Sequence, residues 1–275
     1  MEFEPRLPRD GINVSRRHPL REAAVLAALV GGLVIGVALA GIVAVELIVP
    51  RLPPSVERTL FGGLSVLGAR SGAEAEAATA PLEALLARLV RHWEEVPYEL
   101  RIRAVDQSAA NAFAFPGGWI GVTTGLLAQI RSENELAFVL AHEIGHFRHR
   151  HHLRALGRAL VVGAVLGLAG QSTGSGLVGI GPLLAARRFD REQEREADAF
   201  GLALVYQEYG HLAGTLDFFE RLQKAQSNHE SRLLRYLSTH PLSTERTEAL
   251  GTLSERKGWP TEGPLVPFAW TGGAG

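Results

Sequence analysis

The stretch SENELAFVLAHEIGHF, Ser132 to Phe147, decides how the chain is read. Leu136, Val139, Leu140 and Phe147 recur at helical spacing. On such a helix His142 and His146 are four residues apart and share one face, so both rings can reach one metal ion. Glu143 stands one position on from His142, where its carboxylate can take a proton from a water on that metal. The spacing predicts a helix over 133–152, carrying a hydrolytic metal site.

Two histidines leave a catalytic metal one protein ligand short of a usual set. The chain has no cysteine, so the third ligand must be His, Asp or Glu. Downstream, REQEREAD (Arg191–Asp198) is read as part of a helix over 190–208. Glu194 and Asp198 lie four apart there. Glu194 could ligate, and Asp198 could accept the other ring proton of a metal-binding histidine. Glu192 and Glu196 are rivals with the same mutual spacing.

Composition limits the rest. Of 275 residues, 46% are hydrophobic and 21% charged, which excludes a disordered or collagen-like chain. A net charge of −1 argues against nucleic acid as a partner. From Ala23 to Val45 there are 23 residues without a charge, bracketed by Glu22 and Glu46. As a helix they span about 35 Å, enough to cross a bilayer core. The expected anchor is 23–49. Ala38-Leu39-Ala40 resembles a signal-peptide cleavage site, but the apolar run continues past it, and an uncleaved anchor is the reading adopted. Gly32 and Gly36 form a GxxxG pair, a hint of helix pairing that gives no oligomeric state. Arg6, Arg9, Arg16, Arg17 and Arg21 precede the span and only Arg51 and Arg58 follow closely. This bias places residues 1–22 in the cytoplasm and the remaining domain outside it, most simply on the periplasmic side of a bacterial inner membrane.

After the anchor, 50–80 reads as a linker, because Pro50, Pro53 and Pro54 stop the helix and 71–80 is small and polar. A helix is expected from Pro81 to about Glu94, a strand over 98–105, and two short strands, 111–115 and 119–123, around Pro-Gly-Gly. Further helices are expected at 124–130, 212–226 and 243–256, with an irregular tail over 258–275. The fold class is α+β, mostly helical, with a small sheet beside the HEIGH helix. Residues 159–186 carry no charge. They are too few to cross a membrane twice at about 20 residues per span, so they are expected to form an apolar hairpin or lid that enters the outer leaflet or packs on the domain.

Four features together resemble the CAAX-prenyl-protease-type, HtpX-like family of membrane zinc metalloendopeptidases. They are NAFAFPGGWIGVTTGLL (Asn111–Leu127), HEIGH, REQEREAD, and Thr239-His240-Pro241 with Arg246 after it. The resemblance covers roughly residues 80–257. It implies a zincin-type domain over 81–257 with one Zn2+ per chain on His142, His146 and Glu194, and Glu143 as general base. Asp198 is implied behind the ligands and His240 near the metal, where it could assist the oxyanion or ligate the zinc and hold the enzyme inactive. Two departures stand out: Asp190, where the family often has serine, and a single clear span, which fits an anchored or periplasmic branch. Arg246 is expected to position the His240 loop or a substrate carbonyl, its bland alternative being a surface pair with Glu245 or Glu248. His149, His151 and His152 read as surface or packing residues. The strand Gly118–Thr123 is expected to run beside the HEIGH helix with a free edge that pairs an extended peptide, making Asn111, Gly118, Trp119, Ile120 and Gly121 candidate substrate contacts. The function expected is cleavage of unfolded, membrane or envelope proteins. A chaperone-like binder using the same groove and zinc hydrolysis of a non-peptide bond are the alternatives, and an intact Glu143 speaks against a pure binder.

Overall fold

The computed structural model describes residues 18–61, 72–97, 99–168, 189–217, 220, 221, 224, 240 and 243–270. Its elements, in chain order, are α1 (Pro19–Ile48), a 3-10 turn (Val49–Arg51), α2 (Pro54–Phe61), α3 (Ala73–Val90), β1 (Arg101–Val105), β2 (Ala112–Phe115), β3 (Trp119–Thr123), α4 (Thr124–Leu127), α5 (Glu133–Arg148), α6 (His151–Leu168), α7 (Arg191–Tyr209) and α8 (Thr244–Lys257). Among the described residues the body is mostly helical with one small sheet.

α1 has 30 residues and none is buried. A core helix of that hydropathy would be covered on all sides by protein; α1 instead leaves Leu26, Leu29, Leu33, Ile35 and Leu39 more than half exposed, as lipid-facing side chains are. It is the one helix among the described residues long and apolar enough to cross a membrane.

The sheet has the order β1-β3-β2, with β1 parallel and β2 antiparallel to β3. Gly117 and Gly118, at φ 91° and 85°, make the turn between β2 and β3, a conformation that side-chain-bearing residues rarely adopt. This order corrects the expectation for β3. It is the central strand, hydrogen-bonded on both sides, and has no free edge for a peptide. Strand addition to this sheet can take place only at β1 or β2, and β2 is the outer strand that contacts α5. Alternation of side chains along a strand says which face is buried but not which strand is central, so the sequence could not place β3.

α5 lies beneath the sheet and against α3 and α7, and every residue from Asn134 to Phe147 is buried. Ser132 caps it by accepting from Glu135 N. The helix expected to continue to 152 stops at Arg148. Arg150 takes a left-handed φ of 55°, and its guanidinium donates to the carbonyls of Val49 and Leu52 just past α1. A left-handed arginine costs about 1–2 kcal/mol, which those two bonds to the juxtamembrane turn offset. α6 then starts in a new direction.

The linker expected over 50–80 is partly helical. α3 begins at Ala73 and carries Pro81 in its interior rather than at its start. The Ala-rich segment before Pro81 has high helix propensity and buries Ala75 and Ala78 completely, which outweighs the backbone bond that proline forfeits. α2 is tied to the body through buried Glu57, which accepts from Gly117 N and pairs with His152 Nε2, both at 2.9 Å. The tail as far as Trp270 is irregular but packed. Trp259, Phe268 and Trp270 lie against the core, Glu133 N donates to Val266 O, and Val266 N donates to Asn134 Oδ1.

Of the apolar segment 159–186, the part to Leu168 belongs to α6; the expected turn and second arm lie outside the described residues. α6 runs antiparallel beside the end of α1, not over the site. A Cβ on Gly41 would meet Val161 Cγ1 at 2.9 Å and one on Gly157 would meet Val45 Cγ1 at 2.7 Å, and Arg158 Nη1 bonds Glu46 Oε1 at 2.6 Å. Gly32 and Gly36 take no part in this contact. Of the helix expected at 212–226, residues 212–214 form a turn, with Gly214 at φ 80°, and 215–217, 220, 221 and 224 are helical.

Candidate metal centre

α5 and α7 meet backbone to backbone. A Cβ on Gly145 would lie 2.7 Å from Ala197 Cα, and one on Gly201 would lie 2.9 Å from His142 N and 3.0 Å from Ala141 C. These two glycines let the helix bearing His142 and His146 approach the helix bearing Glu194 and Asp198 closely enough to share a site. Asp190 starts α7 with a capping box, accepting from Gln193 N while its own N–H bonds the Gln193 side chain. Aspartate serves that N-cap as well as serine does, so the departure noted at 190 keeps the helix start and hence the register of Glu194. Gly201→Val is expected to force the helices apart, costing about 1–3 kcal/mol of stability by overpacking and lowering bound metal. Thermal unfolding and metal analysis of the purified variant check this.

Four fully or nearly fully buried groups converge. His142 Nε2 lies 3.0 Å from His146 Nε2 and 3.1 Å from His240 Nδ1. Glu194 Oε1 lies 3.2 Å from His240 Nδ1 and 3.6 Å from His146 Nε2, and Glu194 Oε2 lies 3.6 Å from His142 Nε2. Ligand atoms about 2.0–2.1 Å from a tetrahedral metal stand about 3.3 Å apart, which matches these separations. Glu143 is wholly buried, and neither of its carboxylate oxygens has a hydrogen-bond partner among the described residues. His240 Nε2 approaches Glu143 Oε1 to 3.3 Å without making one. A buried carboxylate without a hydrogen bond is costly, and its place beside a cluster of metal donors fits a proton acceptor at a metal site. His142, His146, Glu194 and His240 could hold a metal ion.

His142 is oriented from behind. His142 Nδ1 is 2.9 Å from Asp198 Oδ1. Arg246 grips the same aspartate with two bonds, Nε to Oδ2 and Nη2 to Oδ1, both 2.8 Å, and reaches Glu194 Oε2 with Nη1 at 2.6 Å. Arg246 is 4% exposed. It is therefore not a surface partner of Glu245, which pairs with Arg191 in solvent. Burial raises the Asp198 carboxyl, but Arg246 and His142 outweigh it and hold it at about 2. Burial likewise raises the Glu194 carboxyl, but His240 and Arg246 outweigh it and hold it below its usual range. His146 is pushed well below its usual range by burial, then by His142 and His240.

Of the rival carboxylates, Glu192 is exposed and pairs with Arg195, and Glu196 reaches His151 on the outer side of His146. The site contains two residues the sequence reading treated as packing or did not single out. His151 Nδ1 is 3.0 Å from His146 Nδ1, and the Phe189 ring stacks on His146 at 3.9 Å. The signal for His151 was hidden by the assumed straight helix, which would turn it away from His146. Among the other candidates, Trp119, Ile120 and Gly121 lie on the central strand, Gly118 is in the turn before it, and Asn111 is buried ahead of β2. The Asn111 backbone pairs with Thr123, and its Oδ1 makes no hydrogen bond among the described residues.

Comparison with known proteins finds metalloproteases. The chain is 31% identical over 173 residues to a putative beta-barrel assembly-enhancing protease of Vibrio cholerae, covering 58% of this chain and 35% of that protein. It is 33% identical over 158 residues to the mitochondrial metalloendopeptidase OMA1 of Schizosaccharomyces pombe (55% and 45%). With the metalloprotease LoiP of Escherichia coli it shares 32% over 145 residues (50% and 56%). The chain thus spans roughly a third to just over half the length of these relatives. Residues 76–254 match peptidase family M48, a stretch that holds every group of the buried cluster, and the chain belongs to that family of metallopeptidases.

Proposed function

We propose that this chain is a membrane-anchored zinc endopeptidase, built on a zincin-type domain, that cleaves unfolded or envelope proteins outside the cytoplasm. The observation that carries the reading is the buried convergence of His142, His146 and Glu194 beside the Glu143 carboxylate, which makes no hydrogen bond among the described residues. A His2Glu donor set suits zinc, and the missing thiolates leave no softer alternative.

When bound, zinc supplies a water of lowered pKa and polarises the scissile carbonyl. The chain's own residues do the rest. Glu143 accepts the proton of the attacking water and passes it to the leaving amine. Asp198 accepts the Nδ1 proton of His142, which presents that ring's Nε2 lone pair to the metal, and Arg246 holds Asp198 and Glu194 in place. His240 is a fourth donor. With all four donors on a tetrahedral ion no position would be left for water or substrate, so His240 would hold the site closed and would have to withdraw for Glu143 to act. Envelope substrates are proposed by analogy with the bacterial relative named for beta-barrel assembly.

Metal removal tests the reading. Peptide cleavage by the detergent-solubilised protein is expected to vanish with a chelator and return with one equivalent of Zn2+ but not Mg2+. Full activity of metal-free protein would overturn it. The topology is tested separately. The arginine excess before α1 places the N-terminus in the cytoplasm, so a reporter fused after Leu60 is expected to behave as extracytoplasmic. A cytoplasmic signal there would remove the envelope-substrate reading.

A further inference from the structure

We propose that His151 and Glu196 form a positioning pair for His146, a chain of two hydrogen bonds that fixes which nitrogen of His146 faces the metal. The inference rests on the metal reading above. For Nε2 of His146 to ligate, its single proton must sit on Nδ1, and that proton needs an acceptor. His146 is completely buried, so the acceptor must be protein. For His142 it is Asp198. For His146 the group at hand is another imidazole, His151 Nδ1, at 3.0 Å.

An imidazole accepts at Nδ1 only if its own proton is on Nε2. His151 Nε2 lies 3.0 Å from Glu196 Oε2, and an ionised carboxylate can only accept. The chain therefore has one self-consistent direction: His146 Nδ1–H to His151 Nδ1, then His151 Nε2–H to Glu196 Oε2. Ring packing holds the geometry. His149 stacks on His151 with centroids 5.3 Å apart and planes 14° apart, and Phe189 covers His146. The left-handed Arg150 is what turns His151 back toward His146. Glu196 stands two residues after Glu194 on α7, so α7 supplies a ligand, the partner of one histidine ring, and the end of the chain that orients the other.

The same three side chains, His149, His151 and Glu196, could themselves hold a metal ion. A metal on His151 Nε2 would move that ring's proton to Nδ1 and set it against the Nδ1 proton of His146. Occupancy of the outer cluster and the orienting chain are therefore mutually exclusive.

The test compares His151→Phe, which keeps the ring volume without an acceptor, with His151→Asn, whose amide oxygen stands where Nδ1 stood. Zinc affinity of the full chain in detergent is measured by chelator competition, with the visible spectrum of the Co2+ form as a second readout. His151→Phe is expected to bind zinc about 10- to 100-fold more weakly and to lose the tetrahedral Co2+ bands, with His151→Asn close to wild type. Wild-type affinity in His151→Phe, or equal losses in both variants, would overturn the proposal, the latter by assigning His151 a packing role. If neither variant folds, Glu196→Ala at its partly exposed position decides: zinc binding is expected to weaken with the thermal midpoint of the metal-free protein unchanged, and unchanged affinity overturns the pair. Two equivalents of tightly bound zinc in the wild type would also overturn it. A wild type that binds no zinc would instead overturn the metal reading itself.

Discussion

Glu143→Gln is expected to abolish peptide cleavage while the protein keeps about one equivalent of metal. The four donors that converge at 3.0–3.6 Å do not include Glu143, so the amide removes a proton acceptor without removing a ligand. General-base catalysis contributes about 10²–10⁴-fold, and a loss of that size in kcat with little change in KM is the result to look for. His142→Ala and Glu194→Ala are expected to lose metal and activity together. Glu192→Ala is expected to do neither, since Glu192 faces solvent beside Arg195. Retention of most activity by Glu143→Gln would exclude Glu143 as the base, and loss of metal in Glu192→Ala would exclude Glu194 as the third ligand.

The residues that fall on one side of a regular helix were readable from the chain. His142 and His146 share a face by spacing alone, as do Glu194 and Asp198, and α5 and α7 keep that spacing because Ser132 and Asp190 cap them in register. What brings the two faces together is a pair of glycines whose role is visible only when the opposite backbone is in place, 2.7–2.9 Å from where a Cβ would sit. His151 was hidden for a related reason. One left-handed residue, Arg150, is invisible to periodicity, and it depends on carbonyls about a hundred residues earlier, at Val49 and Leu52. The centrality of β3 was equally hidden, because a short strand with mostly buried side chains reads the same whether it lies at the edge or in the middle. Pro81 misled in the opposite sense. Its preference for a helix start is a local rule, and burial of Ala75 and Ala78 overrode it.

Arg246→Met is expected to cost about 3–5 kcal/mol of stability, because it leaves buried charge unpaired, and to lower metal occupancy. The arginine stands between two carboxylates four residues apart on α7, bonding Asp198 through Nε and Nη2 and reaching Glu194 through Nη1. Both carboxyls stay below their usual ranges despite burial, with Arg246 among the causes. Without the guanidinium, Glu194 and Asp198 face each other across one helical turn with no cation but the metal. Asp198 then loses its preference for accepting the His142 proton, and Glu194 its fixed orientation. Lysine cannot substitute, since a single ammonium cannot bond both oxygens of Asp198 and reach Glu194 as well, so Arg246→Lys is expected to recover only part of the loss. A double-mutant cycle with Asp198→Asn separates the pairwise coupling from the cost of truncation. Arg246→Met lying within about 0.5 kcal/mol of wild type, the range of an ordinary surface substitution, with full metal content would mean that the buried pair does not hold the centre together. If instead stability falls but metal content does not, the arginine serves the α7–α8 packing rather than the ligand carboxylate, and Glu194 is held by the metal alone.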